Sequence, residues 1–92
     1  MPQVFKAYGM LVFIWSDENN PLEPIHVHIT NGVPEKNSTK VWITKNGKCI
    51  LAHNKSKINE HILNKVMKII EARHMDIENQ WYKIFDEISY YC

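Results

Sequence analysis

The stretch Glu23-Pro24-Ile25-His26-Val27-His28-Ile29 decides the reading of this chain. A β-strand turns successive side chains to opposite faces, so His26 and His28 point one way while Ile25, Val27 and Ile29 point the other. Pro24 has no N–H to give a ladder, which suits the start of a strand. The three aliphatic residues are expected to face a core. The two imidazoles are then expected to stand on an open sheet face beside a third strand that repeats the pattern. In that strand, residues 39–44, Val41 and Ile43 share one parity and Lys40, Trp42 and Thr44 the other.

Outward from this pair the period stays near two. Residues 10–15, Met10-Leu11-Val12-Phe13-Ile14-Trp15, are apolar at both parities and read as a strand covered on both faces. They stop at Ser16-Asp17-Glu18-Asn19-Asn20-Pro21, a dense turn cluster. Residues 31–38 form the next loop. Lys45-Asn46-Gly47-Lys48 signals a hairpin with a two-residue turn, leading into a short fourth strand over 49–53. After residue 54 the period changes. Asn59 is placed as an N-cap between Ile58 and Leu63, a hydrophobic staple. Ile62, Val66, Ile69, Ile70, Ile77, Trp81, Ile84, Phe85 and Ile88 then recur at spacings of three and four, interrupted at Arg73. With no Gly or Pro after Lys48, one long helix over about 59–88, or two collinear ones bent near 74–76, is expected.

The fold this predicts is α+β. A small four-stranded, mostly antiparallel sheet over about 4–53 is packed on one face by a long C-terminal helix, in a single domain spanning 1–92. A chain of 92 residues buries roughly 60 to 65% of its unfolded surface, so stability is thin. Three Trp, four Tyr and three Phe offset this, each ring removing about 150 to 250 Å² from water. Two cysteines, Cys49 and Cys92, make no disulfide framework and no paired zinc-finger spacing. Cys49 reads as a small buried hydrophobe and Cys92 as an exposed thiol. The short apolar run 10–15 has no charged leader or small-residue cleavage site and cannot cross a bilayer. The cytoplasm is the expected location, with no membrane partner.

Net charge is +1, but residues 36–68 carry eight lysines against Glu60 alone. Such a segment attracts an acidic protein or a nucleic-acid backbone, or is simply a solvated face. Of the histidines, His61 and His74 lie off the apolar stripe and are expected in solvent. Trp81 and Phe85, four apart, read as core anchors.

The histidine face admits three readings. As a metal site, His26 and His28 supply two nitrogens, with His53, Cys49 or Glu23 as further donors, but no spacing requires a third ligand. No metal or other cofactor is therefore assigned. As a nuclease site, His26 or His28 acts as general acid or base, Lys40 or Lys48 steadies a phosphate, and Trp42 stacks a base. As a binding surface, His26, His28, Lys40, Trp42 and Lys48 form a flat patch for a protein partner or a second copy of the chain, Trp being favoured among interface anchors.

The motif around the histidines, the acidic and Asn-rich turn before it, Thr39-Lys40-Val41-Trp42-Ile43 and the helix with Trp81 and Phe85 together resemble the bacterial domain of unknown function 4160 family. The resemblance covers nearly the whole chain. It departs at Ile25, where the family often has a second proline, and in the Lys-rich hairpin 45–51. The resemblance implies a toxin–antitoxin or mobile-element setting. A binding module acting on a protein partner through its His/Trp face is the function expected there. The alternatives are a phage or mobile-element inhibitor of a host defence nuclease, and a metal-independent RNase toxin using the histidine pair.

Overall fold

The computed structural model describes residues 2–16 and 22–92. Among them it places β1 (Gln3–Ala7), β2 (Met10–Phe13), β3 (His26–Thr30), β4 (Thr39–Ile43), β5 (Cys49–His53), α1 (Glu60–Ala72) and α2 (His74–Phe85). The strands form one sheet in the order β1-β2-β3-β4-β5, each pair antiparallel. The expected four strands and single long helix are thus corrected on both counts, while the α+β class stands. The turn cluster before the histidine motif falls, from residue 17 to 21, outside the described residues.

The additional strand is β1, joined to β2 through Tyr8 and Gly9. Both have positive φ, 53° and 76°, the backbone that a tight two-residue hairpin requires. At this edge only Phe5 is buried, so β1 shows almost no alternation to read. The Asn46-Gly47 hairpin forms where expected but with a longer loop. Gly47 alone of its turn has positive φ (81°), its N–H donates to Thr44 O at 3.1 Å, and Thr44 N–H donates to Lys48 O at 2.9 Å. This is a three-residue connection closed by a left-handed glycine.

Asn59 caps α1 as its side chain predicts, accepting from the N–H groups of His61 (2.9 Å) and Ile62 (3.3 Å). The helix then breaks at Arg73, whose φ of −108° and ψ of 19° leave the helical region. Arg73 N–H is shared between Ile69 O (2.9 Å) and Ile70 O (3.2 Å), and Ile77 N–H restarts the ladder on Arg73 O. The break coincides with the one polar interruption of the apolar stripe. It lets α2 turn relative to α1 so that Ile77 and Trp81 remain buried. The second helix stops at Phe85, three residues short of the expected end, because Asp86 adopts the left-handed conformation (φ 61°) and its N–H returns to Tyr82 O.

Register confirms the two-faced reading of β3. Val27 pairs with Val41, Val12 with Ile29 and Phe5 with Val12 on one face; His26 pairs with Trp42, His28 with Lys40 and Phe13 with His28 on the other. The first face builds the core, in which the strand residues join Ile58, Leu63, Val66, Ile70, Ile77 and Trp81. Removing these side chains from water supplies the main driving force of folding. Among the described residues, no helix is long and apolar enough to cross a membrane.

Candidate functional site

The second face of the sheet is where the histidines lie, and it is not open. His26 and His28 are each only 1% exposed, and every residue of β3 is buried. The expectation of two outward imidazoles is corrected here: their shared direction holds, their exposure does not. The physical reason is an unbroken succession of rings. His28 stacks on Phe13 at 5.5 Å between centroids and meets His26 edge-on at 5.1 Å. His26 in turn meets Trp42 at 5.5 Å and Trp81 of α2 at 5.2 Å, both edge-on. Trp81 leans on Phe85 at 4.4 Å.

Each imidazole is also tied to the main chain. His26 Nδ1 lies 2.8 Å from Pro24 O and His28 Nδ1 lies 3.0 Å from Ser38 O. A carbonyl oxygen only accepts, so both rings carry a proton on Nδ1 and donate it. These bonds fix ring orientation as firmly as the packing does. Fixed tautomers of this kind support metal ligands and structural histidines alike. Among the described residues, however, no group of three or more His, Cys, Asp or Glu side chains could hold a metal ion.

His53 sits on the same face in a row with His28 and Lys40, through the pairings His28 with Lys40 and Lys40 with His53. A β-bulge next to Lys40 in the β4–β5 ladder brings His53 rather than Ala52 opposite it. Its Nδ1 accepts from Lys55 N–H at 3.3 Å. Partial burial, followed by the positive charges of Lys55, His28 and Lys40, pushes the His53 pKa below its ordinary value. Lys40 is half-buried, joined to the Glu23 carboxylate, with its ammonium 4.3 Å from the Trp42 ring centroid.

The accessible part of this face begins at Trp42. Tyr91 lies parallel to it, centroids 4.9 Å and planes 4° apart, and is itself 59% exposed. Ile50, directly opposite Trp42 on β5, is 40% exposed. Beside it is a depression of about 410 Å³ lined by Thr44, Lys45, Asn46, Lys48, Ile50 and Cys92. Of the five binding residues expected from sequence, Lys48 lines the depression, Trp42 lies next to it with Lys40 against its ring, and His26 and His28 are buried. Sequence reading missed Ile50, Lys45 and Tyr91. Ile50 was legible as the cross-strand partner of Trp42 through the hairpin; Tyr91 was not, because nothing in the helical pattern forecasts a returning tail.

The lysines on either side of β5 stand apart. Lys45 and Lys48 belong to the β4–β5 turn, while Lys55 and Lys57 follow the other end of β5, a strand of five residues and roughly 17 Å. The remaining sequence candidates are quiet. Cys49 is half-buried, its Sγ 3.6 Å from both Met67 O and Glu71 Oε2; burial and the Glu71 charge raise its thiol to about 12, which keeps it unreactive. His61 is exposed as expected, whereas His74 is half-buried, bonded to Glu78 at 3.2 Å.

The sequence pattern of the family described as Domain of unknown function (DUF4160) matches residues 9–82. No curated protein and no solved structure matches the chain.

Proposed function

We propose that this chain, which belongs to the DUF4160 family, is a protein-binding module whose docking surface is Trp42, Ile50 and the Lys45/Lys48 depression. The single observation that carries the reading is the depression itself: an aliphatic floor at Ile50, rimmed by Lys45 and Lys48, with Trp42 next to it as the cross-strand neighbour of Ile50. An apolar side chain seated there loses its water against Ile50 and Trp42, and acidic neighbours meet Lys45 and Lys48. The partner is accordingly an acidic segment of a protein that presents an aromatic side chain. Within a toxin–antitoxin or mobile-element setting, a protein encoded beside this one is the first partner to test.

His26 serves this surface from below, its ring edge-on to Trp42, and His28 backs His26. An RNase reading has less support, because a general acid or base must reach its substrate and both rings are buried. A nucleic-acid surface has less support too, because Lys45 and Lys48 lie at the opposite end of β5 from Lys55 and Lys57.

The test is selection from a random peptide library on the full chain and on a Trp42→Ala/Lys48→Glu double variant. The reading predicts that peptides enriched on the natural protein carry an aromatic residue flanked by Asp or Glu, and that the double variant enriches none of them. Basic peptides, or peptides retained equally by the double variant, would overturn it.

A further inference from the structure

The residues after α2 have no regular secondary structure, yet they are held at four points. Ser89 O accepts from Ile25 N–H at 2.9 Å, and Cys92 O accepts from Lys45 N–H at 3.1 Å. Tyr90 OH donates to Glu78 Oε2 at 2.5 Å, and the other oxygen of that carboxylate faces His74 Nδ1. Tyr91 lies on Trp42. The segment Asp86-Glu87-Ile88-Ser89-Tyr90-Tyr91 has two carboxylates followed by two aromatics. That is the chemistry assigned above to the partner, already resting on the same indole and bonded to the backbone of a lysine that lines the same depression.

We propose that this strap is a self-ligand: Tyr91 occupies on Trp42 the position that a partner's aromatic side chain takes, and docking requires the strap to lift. The proposal rests on the docking reading and adds its regulation. The attachment is suited to exchange. Tyr91 has one face on Trp42 and most of its surface in water, and Glu87 and Ser89 are exposed. Ile88 and Tyr90 pack against the edge of the core and return the strap to its seat. The hinge is Asp86, whose left-handed backbone turns the chain out of the helix. The catch is the Tyr90–Glu78 hydrogen bond, which lies on α2 and so away from Trp42 itself. Strap and partner then compete for one ring, and anything that weakens the catch favours the partner.

The test uses the full chain and the Trp42 indole N–H resonance, assigned by its loss in Trp42→Phe. Stacked Tyr91 shifts that resonance by its ring current. Tyr90→Phe, which removes only the catch, is expected to move it part of the way toward its position in Tyr91→Ala. The peptide acetyl-Asp-Glu-Ile-Ser-Tyr-Tyr-amide is expected to bind Tyr91→Ala at least tenfold more tightly than the natural protein. An unmoved resonance in Tyr90→Phe, or equal or absent peptide binding in both proteins, would overturn the strap. Acidic aromatic peptides whose binding depends on Trp42 but is unchanged by Tyr91→Ala would sink the strap and leave docking intact. Binding independent of Trp42 in every background would sink docking itself.

Discussion

Tyr91 and His26 lie on the same indole from different sides: Tyr91 is parallel to Trp42 at 4.9 Å, and His26 meets it edge-on at 5.5 Å. Through that ring a fully buried residue of the central strand is coupled to an exposed one near the end of the chain. The energetic weight of the two sides differs greatly. Tyr91→Ala removes one offset stack and is expected to cost about 0.5 to 1.5 kcal/mol. Trp81→Ala empties a fully buried site beneath His26 and is expected to cost about 3 to 5 kcal/mol. Urea unfolding of both variants checks the contrast; equal costs would contradict the picture of a firm interior and a lightly stacked Tyr91.

The histidines are expected to act on stability. His26→Ala leaves Pro24 O without its donor, and His28→Ala does the same to Ser38 O. Ser38 is buried, and its orphaned acceptor costs about 1 to 3 kcal/mol; both variants also empty a site filled by a fully buried ring, so each is expected to lose at least about 1 kcal/mol by chemical denaturation. Variants as stable as the natural protein would show that the rings are held for another purpose.

How much of this was legible follows from the kind of signal each residue leaves. The alternation around His26 and His28 fixes which face they share, because period two has no other solution, and Asn59 announces its helix. Burial of the histidines was not legible, since it depends on Trp81, 55 residues further along, reaching the start of β3. The left-handed Asp86 carries no glycine to mark it, so the end of α2 was hidden; Gly9 does mark the turn after β1, but that strand buries Phe5 alone and shows almost no alternation to read. Lys40, Trp42 and Lys48 could be grouped from sequence because they are near neighbours in one hairpin. Tyr91 joins them only through a tail that tertiary contacts hold.

Gly47 is the one position where a methyl group is excluded twice. Its φ is 81°, and a Cβ there would lie 2.7 Å from His74 Nε2. Gly47→Ala is expected to cost at least about 1 kcal/mol. Adding His74→Ala should recover the steric part and leave the backbone part, giving a measurable coupling in a double-mutant cycle. Simple additivity of the two changes would contradict the contact between the hairpin and the start of α2.

Two titrations have opposite signs. His53 has a pKa below 6.5 in the folded protein, through burial and then its cationic neighbours. Its contribution to stability is present above pH 6.5 and is lost as pH falls through the folded value, because the unfolded chain takes up the proton first. Tyr90 is raised from 10.0 to about 12, chiefly by its hydrogen bond to Glu78. Its contribution is complete below pH 10 and is lost as pH rises toward 12. In NMR and ultraviolet titrations, Lys55→Gln should raise the His53 midpoint and Glu78→Gln should lower that of Tyr90. Midpoints that do not move would remove the assigned causes.

The docking surface itself is tested most directly by mapping where a ligand of the assigned chemistry lands. Titration of acetyl-Glu-Glu-Tyr-Glu-Glu-amide into the isotopically labelled full chain is expected to shift the resonances of Trp42, Ile50 and Lys48 most, with the effect lost in Trp42→Ala/Lys48→Glu. Shifts gathered instead on the exposed Met75 and Tyr82 of α2, or around Lys55 and Lys57, with Trp42 unmoved, would contradict it.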